Sequence, residues 1–357
     1  MDLDASPVET ALKRAPGPSR ILVHEVNWLG DLVMTLPVLA ALRRAFPAAR
    51  LAVLVDYRLA AFFDGSALVD EVIALRRGGK RLAAVELIRA AAQLRTRRFD
   101  LAVVLPNSFV SALRVALAGI PVRAGFARDG RGWMLTRRVT PDAQLMRRHQ
   151  VHYWLGMLKA TLGVESDPKQ IAPEVAPHHL ERMRRWLAVR RNERSKLLAV
   201  APAAAYGPAK EWPREHYVEL ISSLAQRDVQ AVLVGGAGDI ARCEAIATSA
   251  SCDAIVAAGQ TDVGELMALL SLCDGFVGND SGAAHLASAL GIPTVAIFGS
   301  TNPARTGPLG PRTTILYKAI ECSPCLARTC RFGHYQCLRA IEPRAALSAL
   351  ANLGAIG

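Results

Sequence analysis

The sequence predicts an α/β protein of two doubly wound domains, each a parallel sheet covered by helices on both faces. Apolar, β-branched segments recur along the chain between longer amphipathic stretches, which is typical of parallel strands buried on both faces. The polar stretch ESDPKQIAPEVAPHH, at 165–179, interrupts this rhythm and predicts a linker. The length of 357 residues suits two domains, since one domain usually takes ~100–200 residues.

Nine strands and four helices are predicted from these patterns. The strands are Ile21–Val26, Leu51–Asp56, Glu71–Leu75, Leu101–Leu105, Leu197–Ala201, Gln230–Val234, Ala254–Ala257, Gly275–Val277 and Thr294–Phe298. The helices are Val38–Phe46, Ala83–Leu94, Arg214–Arg227 and Val263–Leu272. We expect a flexible tail at 1–19, Rossmann-like domains at 20–170 and 181–342 joined by a linker at 171–180, and a C-terminal helix within 343–357. Packing of that helix back on the N-terminal domain is one expected arrangement.

The amino-acid composition excludes several classes of protein. With 51% hydrophobic and 21% charged residues, the chain is neither disordered nor fibrous. A net charge of +12 favours anionic partners such as nucleic acid, lipid headgroups or phosphorylated small molecules. No segment has the ~20 predominantly apolar residues of a membrane span, and the N-terminus does not resemble a secretory signal. We therefore expect a cytoplasmic protein whose seven cysteines are reduced.

The first predicted strand runs into Asn27-Trp28-Leu29-Gly30-Asp31 and then into an apolar helical stretch. Gly30 allows a close backbone approach. Asp31 is either the N-cap of the helix or a general base aimed at a substrate hydroxyl, because a helix N-terminus favours an ionised carboxylate. The loop has no Gly-x-Gly-x-x-Gly or Walker A sequence, which disfavours a dinucleotide enzyme.

Three loops in the second half follow predicted strands. The segment 203–213 combines small residues with Lys210, which predicts a phosphate cradle or else a solvated lysine. In the segment 235–239, Asp239 could bind a ribose or cap a helix. The segment 279–285 places Ser281 and Gly282 at a helix start, where backbone N–H groups bind anions, with His285 one turn further on.

These segments resemble glycosyltransferase family 9. The resemblance lies in NWLGDLVMTLPVLAALRRAFP, in YGPAKEWP and in NDSGAAHLASALGIPTVAIFGSTNPARTGPLGP, and it covers about residues 20–345. The segment 98–139 and the CSPC sequence at 322–325 are similar to the family's heptosyltransferase II subgroup.

The resemblance implies a GT-B fold, in which two Rossmann-like domains face each other across a cleft. It implies transfer of L-glycero-D-manno-heptose from ADP-heptose to the first heptose of heptosyl-Kdo2-lipid A, with inversion and without a metal. Two alternatives stay open: heptosyltransferase I or another family 9 transferase with a different acceptor, and a non-catalytic nucleotide-binding or nucleic-acid-binding protein.

The resemblance also implies roles for individual residues. Asp31 would be the general base, and Lys210 would neutralise the leaving diphosphate. Asp280 would bind the heptose, because a carboxylate beside phosphates is costly. The full donor set is Tyr206, Gly207, Lys210, Asp239, Asp280, Ser281, Gly282 and His285, and the acceptor set is Asn27, Trp28, Gly30, Asn107 and Ser108.

Basic residues are concentrated in the first half, with eight Lys or Arg between Arg76 and Asp100. They fit an acceptor that bears Kdo carboxylates and lipid A phosphates, so we expect a location at the cytoplasmic face of the inner membrane. We expect no nucleic-acid partner, because no nucleic-acid module is present and only 6% of residues are aromatic. The sequence leaves the oligomeric state open.

Four cysteines, Cys322, Cys325, Cys330 and Cys337, cluster near the C-terminus. Their spacing suits a structural zinc ion or iron–sulfur cluster, although four reduced thiols or a disulfide would give the same pattern. No cofactor is expected to be required for transfer. The other cysteines, at 243, 252 and 273, are expected in the core.

Overall fold

The computed structural model describes residues 17–76, 83–169, 171–192 and 195–357. The described residues divide into two compact units, with the boundary between residues 171 and 172. Residues 1–16 of the expected flexible tail lie outside the described residues. At the end of that segment, Ser19 is tied to the first unit, because its amide and hydroxyl both donate to Oδ2 of Asp100, at 2.8 and 2.7 Å.

The first unit contains a parallel six-stranded sheet. Its strands are β1 (Arg20–His24), β2 (Arg50–Asp56), β3 (Glu71–Leu75), β4 (Leu101–Val104), β5 (Val122–Phe126) and β6 (Arg137–Val139), in the order β3-β2-β1-β4-β5-β6. Its helices are α1 (Leu29–Ala45), α2 (Ala83–Thr96), α3 (Phe109–Leu117), α4 (Ala143–Arg147) and α5 (Gln150–Leu162). β1 and β4 are fully buried neighbours at the centre of the sheet, apart from the first residue of β1. The loops that follow them therefore lie side by side at one edge.

Helix α1 begins nine residues before the predicted start at Val38 and runs through Pro37. An internal proline costs ~3 kcal/mol in an isolated helix. Every residue from Leu32 to Leu42 is buried, and each large apolar side chain contributes ~1.5–3 kcal/mol on burial. Packing therefore outweighs the local cost, and the helix includes Asp31.

The second unit contains another parallel six-stranded sheet. Its strands are β7 (Lys196–Ala201), β8 (Val229–Leu233), β9 (Ile255–Val256), β10 (Gly275–Asn279), β11 (Thr294–Phe298) and β12 (Thr313–Tyr317), in the order β12-β11-β10-β7-β8-β9. Its helices are α6 (Pro177–Ala188), α7 (Arg214–Ala225), α8 (Ile240–Ala250), α9 (Val263–Ser271), α10 (Gly282–Ala289), α11 (Pro303–Thr306), α12 (Gln336–Arg339) and α13 (Pro343–Asn352). The prediction of two doubly wound α/β domains is confirmed.

Three strands were not predicted: β5, β6 and β12. Their sequences, VRAGF, RRV and TTILY, contain arginine, glycine or threonine, because these strands lie at or next to a sheet edge and are only partly buried. The central strands give the continuous apolar signal, while the edge strands β3 and β9 were predicted from shorter apolar segments.

Helix α13 is part of the second unit's core. Ala346, Ala349 and Leu350 are buried there in one cluster with Trp212 and Leu338. Across the described ranges, no helix combines the length and the apolar character that crossing a bilayer requires.

Candidate active site

Polar loops follow three adjacent strands of the second unit. β10 pairs with β7 on one side and with β11 on the other, so the loops after Ala201, Asn279 and Phe298 lie together at the carboxyl edge of the sheet. In doubly wound sheets this edge is where ligands bind. The structure thus brings together segments that are about 20 to 90 positions apart in the sequence.

A buried ion pair joins two of these loops. Lys210 Nζ lies 2.6 Å from Asp280 Oδ2, and the side chains are 14% and 3% exposed. Thr301, from the third loop, donates its hydroxyl to the same carboxylate oxygen at 2.5 Å. The sequence pointed to Lys210 and Asp280 separately and did not predict their pairing or the role of Thr301.

Two hydroxyl groups without an internal hydrogen-bond partner belong to residues next in sequence to Asp280 and Thr301. Within the described residues, the hydroxyls of Ser281 and Ser300 are buried without a hydrogen-bond partner. Ser281 is the N-cap of α10, whose first residue is Gly282, as predicted. His285, in the same helix, places Nε2 4.0 Å from Asp280 Oδ1. Hydroxyls and helix N–H groups of this kind suit a phosphate group.

The loop that carries Lys210 has a fixed shape. Gly207 has φ +141°, and a Cβ there would lie 2.6 Å from the carbonyl oxygen of Arg328, so only glycine fits. The hydroxyl of Tyr206 donates to the carbonyl of Leu326 at 2.6 Å. The cationic groups of Lys210 and Arg328 lie 4.9 and 5.0 Å from the centre of the Tyr206 ring. Arg328 is thus a second positive charge near the loop, and sequence reasoning missed it.

A buried hydrogen-bond network anchors the far end of this loop. Asn279 Oδ1 accepts from the amide of Trp212 and from the hydroxyl of Tyr217, each at 2.9 Å. Burial raises the pKa of Tyr217, so its hydroxyl stays protonated and can donate. Glu211 pairs with Arg242 at 2.6 Å. These contacts hold the backbone on the C-terminal side of Lys210.

Asp239 lies in the turn after β8. Its Oδ2 accepts a hydrogen bond from the amide of Gly236 at 2.8 Å, so the carboxylate closes the 235–239 turn. Its other oxygen is the one that a ribose hydroxyl could reach, and the ribose contact stays a prediction.

In the first unit, Asp31 is the third residue of α1. Trp28 is the N-cap residue and is 51% exposed, so the alternative in which Asp31 is the N-cap is wrong. Asp31 is half-buried in the first helical turn, where the helix dipole favours the ionised carboxylate. Asn27 and Gly30, on either side of Trp28, are also half-buried.

A second carboxyl group, Glu25, lies completely buried at the end of β1. It accepts hydrogen bonds from Thr35 Oγ1 at 3.0 Å and from the amide of Val26 at 3.3 Å. Burial raises the pKa of Glu25 to about 8, so the group is largely protonated at neutral pH. Thr35 lies one turn after Asp31, so Glu25 ties the end of β1 to the helix that carries the candidate base. The apolar strand pattern gave no sign of this role.

Asn107 and Ser108 lie in the loop after β4, next to the loop after β1. Asn107 donates to the hydroxyl of Tyr153 at 3.0 Å and accepts from Arg131 at 3.3 Å. Ser108 is the N-cap of α3 and accepts from the amide of Ser111 at 3.3 Å. The fully buried guanidinium of Arg131 also donates to the carbonyl of Pro106, and burial lowers its pKa to about 10. The site prediction did not include this arginine, which holds the loop in place through its hydrogen bonds to Pro106 and Asn107.

Comparisons with known proteins bear on both loop clusters. Residues 87–336 match the model of glycosyltransferase family 9 (heptosyltransferase). The lipopolysaccharide heptosyltransferase 2 of Salmonella typhimurium is 29% identical over 344 residues, which cover 94% of this chain and 98% of the relative. That of Escherichia coli K12 is 28% identical over 338 residues, covering 93% and 97%. The solved structure of E. coli ADP-heptose lps heptosyltransferase II superposes with a TM-score of 0.81 at 26% identity, covering 94% and 98%.

The matched region includes the Lys210 loop, the Asp280 loop and most of the cysteine segment, while Asp31 lies before it. The full-length relatives cover Asp31 as well, since their matches span over nine-tenths of both chains. The GT-B expectation agrees with the likeness to the E. coli structure. The chain belongs to glycosyltransferase family 9, the heptosyltransferases, as its loop sequences predicted.

Proposed function

We propose that this glycosyltransferase moves L-glycero-D-manno-heptose from ADP-heptose to the first heptose of heptosyl-Kdo2-lipid A. Family membership and relatives named lipopolysaccharide heptosyltransferase 2 support this acceptor. The observation that carries the proposal is the Lys210–Asp280–Thr301 cluster, which lies at the carboxyl edge of the second sheet beside the N-terminus of α10.

The second unit would bind the donor. The diphosphate would take hydrogen bonds from the start of α10 and from the unpartnered hydroxyls of Ser281 and Ser300. Lys210 is already oriented by Asp280 and would neutralise the charge that develops on the departing ADP. Asp280 keeps one oxygen for heptose hydroxyls. Because Lys210 compensates its charge, a carboxylate can be accommodated close to phosphate.

The first unit would supply the base and bind the acceptor, with Asn27, Trp28, Gly30, Asn107 and Ser108 near it. Asp31 would take the proton from the acceptor hydroxyl as that oxygen forms a bond to the anomeric carbon of heptose. The bond between this carbon and the phosphate oxygen breaks, and ADP leaves with the electron pair. A single displacement of this kind inverts the anomeric centre. In this scheme the cationic and N–H groups of the chain take the place of a metal in neutralising the leaving group.

An ADP-release assay with three acceptors tests the proposal. We expect release with heptosyl-Kdo2-lipid A and little with Kdo2-lipid A or with no acceptor. Preferred use of Kdo2-lipid A would instead identify the enzyme that adds the first heptose. Absence of ADP release and of ADP binding would favour a non-catalytic protein.

We also propose that the enzyme works in the cytoplasm at the inner-membrane surface, through basic residues of the first unit. Arg77, Lys80 and Arg81 of this set lie outside the described residues. Arg131 is buried and Arg97 pairs with Glu71 at 2.6 Å, so neither is available to a membrane. Arg89, Arg95 and Arg98 are solvent-exposed, and Arg128 is half-buried. Sedimentation with anionic vesicles that weakens with added salt is expected, whereas equal binding to neutral vesicles would contradict this location.

A further inference from the structure

The four clustered cysteines converge in the fold. Cys322, Cys325, Cys330 and Cys337 all line one pocket of the second unit. The remaining lining residues are Ala209, Ser300, Arg331, Phe332, His334 and Tyr335. No carboxylate is among them, so the groups offered to a ligand are mainly soft sulfur atoms. The sequence supplied the spacing, and the fold supplies the convergence of all four thiols.

All seven cysteines are free thiols in this structure, so no disulfide joins the four sulfur atoms of the pocket. In the described residues, some groups of three side chains have potential metal-ligand atoms within 4.8 Å of one another. These groups consist of His, Asp and Glu and contain none of the four cysteines. Thiolates around one zinc ion would be ~3.8 Å apart, given Zn–S bonds of ~2.3 Å. A bound zinc ion would therefore require the four sulfur atoms to lie closer together than they do in this structure.

The cysteine segment is bonded directly to the donor loops. The amide of Leu326 donates to the carbonyl of Ser300 at 2.8 Å, and Ser323 Oγ donates to the carbonyl of Gly299 at 2.7 Å. The amide of Ala209, next to Lys210, donates to the carbonyl of Arg328 at 3.0 Å. A fixed cysteine segment therefore fixes both loops that flank the Lys210–Asp280 pair.

We propose that Cys322, Cys325, Cys330 and Cys337 bind a thiophilic metal centre, a zinc or ferrous ion or an iron–sulfur cluster, that braces the donor loops. The metal is structural, because the pocket that its ligands line includes Ala209 and Ser300 but neither Lys210 nor Asp280. Metal binding does not depend on the proposed function, whereas the bracing of a donor site does.

Elemental analysis of the full-length protein, purified without chelator under anaerobic conditions, tests metal binding. We expect a stoichiometric amount of zinc or iron, at least about one ion per chain, with acid-labile sulfide present only if the centre is a cluster. Cys325→Ser and Cys330→Ser should each lose most of this metal. Cys252→Ser, at a half-buried position outside the segment, is the matched control and should retain it.

Cobalt(II) titration of the reduced, metal-free protein tests the site even if the native metal is lost during purification. Thiolate-to-cobalt charge-transfer absorption should saturate at about one ion per chain in the wild type and in Cys252→Ser. Less than ~0.2 metal per chain together with no such absorption would overturn the proposal, as would full metal content in Cys325→Ser and Cys330→Ser that fold normally by circular dichroism.

The bracing role is tested by ADP titration and hydrogen exchange on loaded and metal-free protein. Removal of metal should weaken ADP binding about tenfold and speed exchange of the amides at 206–210. Unchanged ADP affinity and exchange would overturn the brace. If the metal-loaded protein bound no ADP at all, the proposed donor site would be wrong, but the proposed metal site would not be affected.

Discussion

The ammonium group of Lys210 and the carboxylate of Asp280 form a 2.6 Å ion pair between two strand-end loops of the second unit. Each group holds the other in place, and Thr301 fixes the carboxylate from a third loop. The pairing holds the Lys210 ammonium group in position before the donor binds. This group therefore needs little reorientation when negative charge develops on the leaving diphosphate in the transition state.

Replacement of Lys210 by alanine should weaken donor use and lower stability. It leaves the Asp280 carboxylate buried without its cation, and loss of one partner of such a pair costs about 3–5 kcal/mol. We expect a KM for ADP-heptose raised at least about tenfold, which corresponds to ~1.4 kcal/mol, and a lower Tm. The double variant with Asp280→Asn should recover much of the Tm but not the activity. An unchanged response to ADP-heptose concentration would contradict the assignment of Lys210.

Replacement of Asp31 by asparagine should lower kcat about a hundredfold or more, about 2.7 kcal/mol of barrier, with little change in Tm. The amide keeps the shape of the side chain but cannot take a proton. Glu86→Gln is a matched control, since Glu86 also lies in the first turn of a helix of this unit. Near-normal turnover of Asp31→Asn in steady-state assays would show that Asp31 is not the base.

Glu25 should make stability depend on pH. Burial raises the pKa of Glu25 from 4.5 to about 8. Glu25 therefore makes its full contribution to the free energy of unfolding below about pH 4.5, and this contribution is lost as the pH rises to about 8. Urea unfolding between pH 5 and 9 should show this decline in the wild type and a smaller one in Glu25→Gln. The exposed Glu244→Gln should behave like the wild type. Identical pH slopes for Glu25→Gln and wild type would rule out the buried acid as their source.

The Gly207→Ala variant should bind ADP more weakly. Its Cβ would meet the carbonyl of Arg328 at 2.6 Å, and a φ of +141° is strained for alanine, so the Tyr206–Lys210 loop must shift. Gly238→Ala is the control, because a Cβ there meets nothing within 4 Å. Isothermal titration should give a Kd for ADP raised several-fold for Gly207→Ala only. Equal Kd values would mean that the loop shape does not matter for the nucleotide.

Local patterns predicted the central strands and the loops after them, because buried parallel strands give continuous apolar segments and ligand loops follow their carboxyl ends. The start of α1 was not predictable, since its packing outweighs the local effect of Pro37. Contacts between segments that are far apart in the sequence could not be predicted either. The Lys210–Asp280 pair joins positions 70 apart, and the hydrogen bond from Ala209 to Arg328 depends on how the cysteine segment folds over the loop.

The most direct test of the proposed transfer is mass spectrometry of the product formed from ADP-heptose and heptosyl-Kdo2-lipid A by the full-length enzyme, with Asp31→Asn in parallel. We expect the wild type to add a single heptose to the existing heptose, and the variant to form almost no product in the same time. A wild-type enzyme that leaves this acceptor unmodified, or a variant that modifies it equally fast, would show that the proposed transfer or its base is wrong.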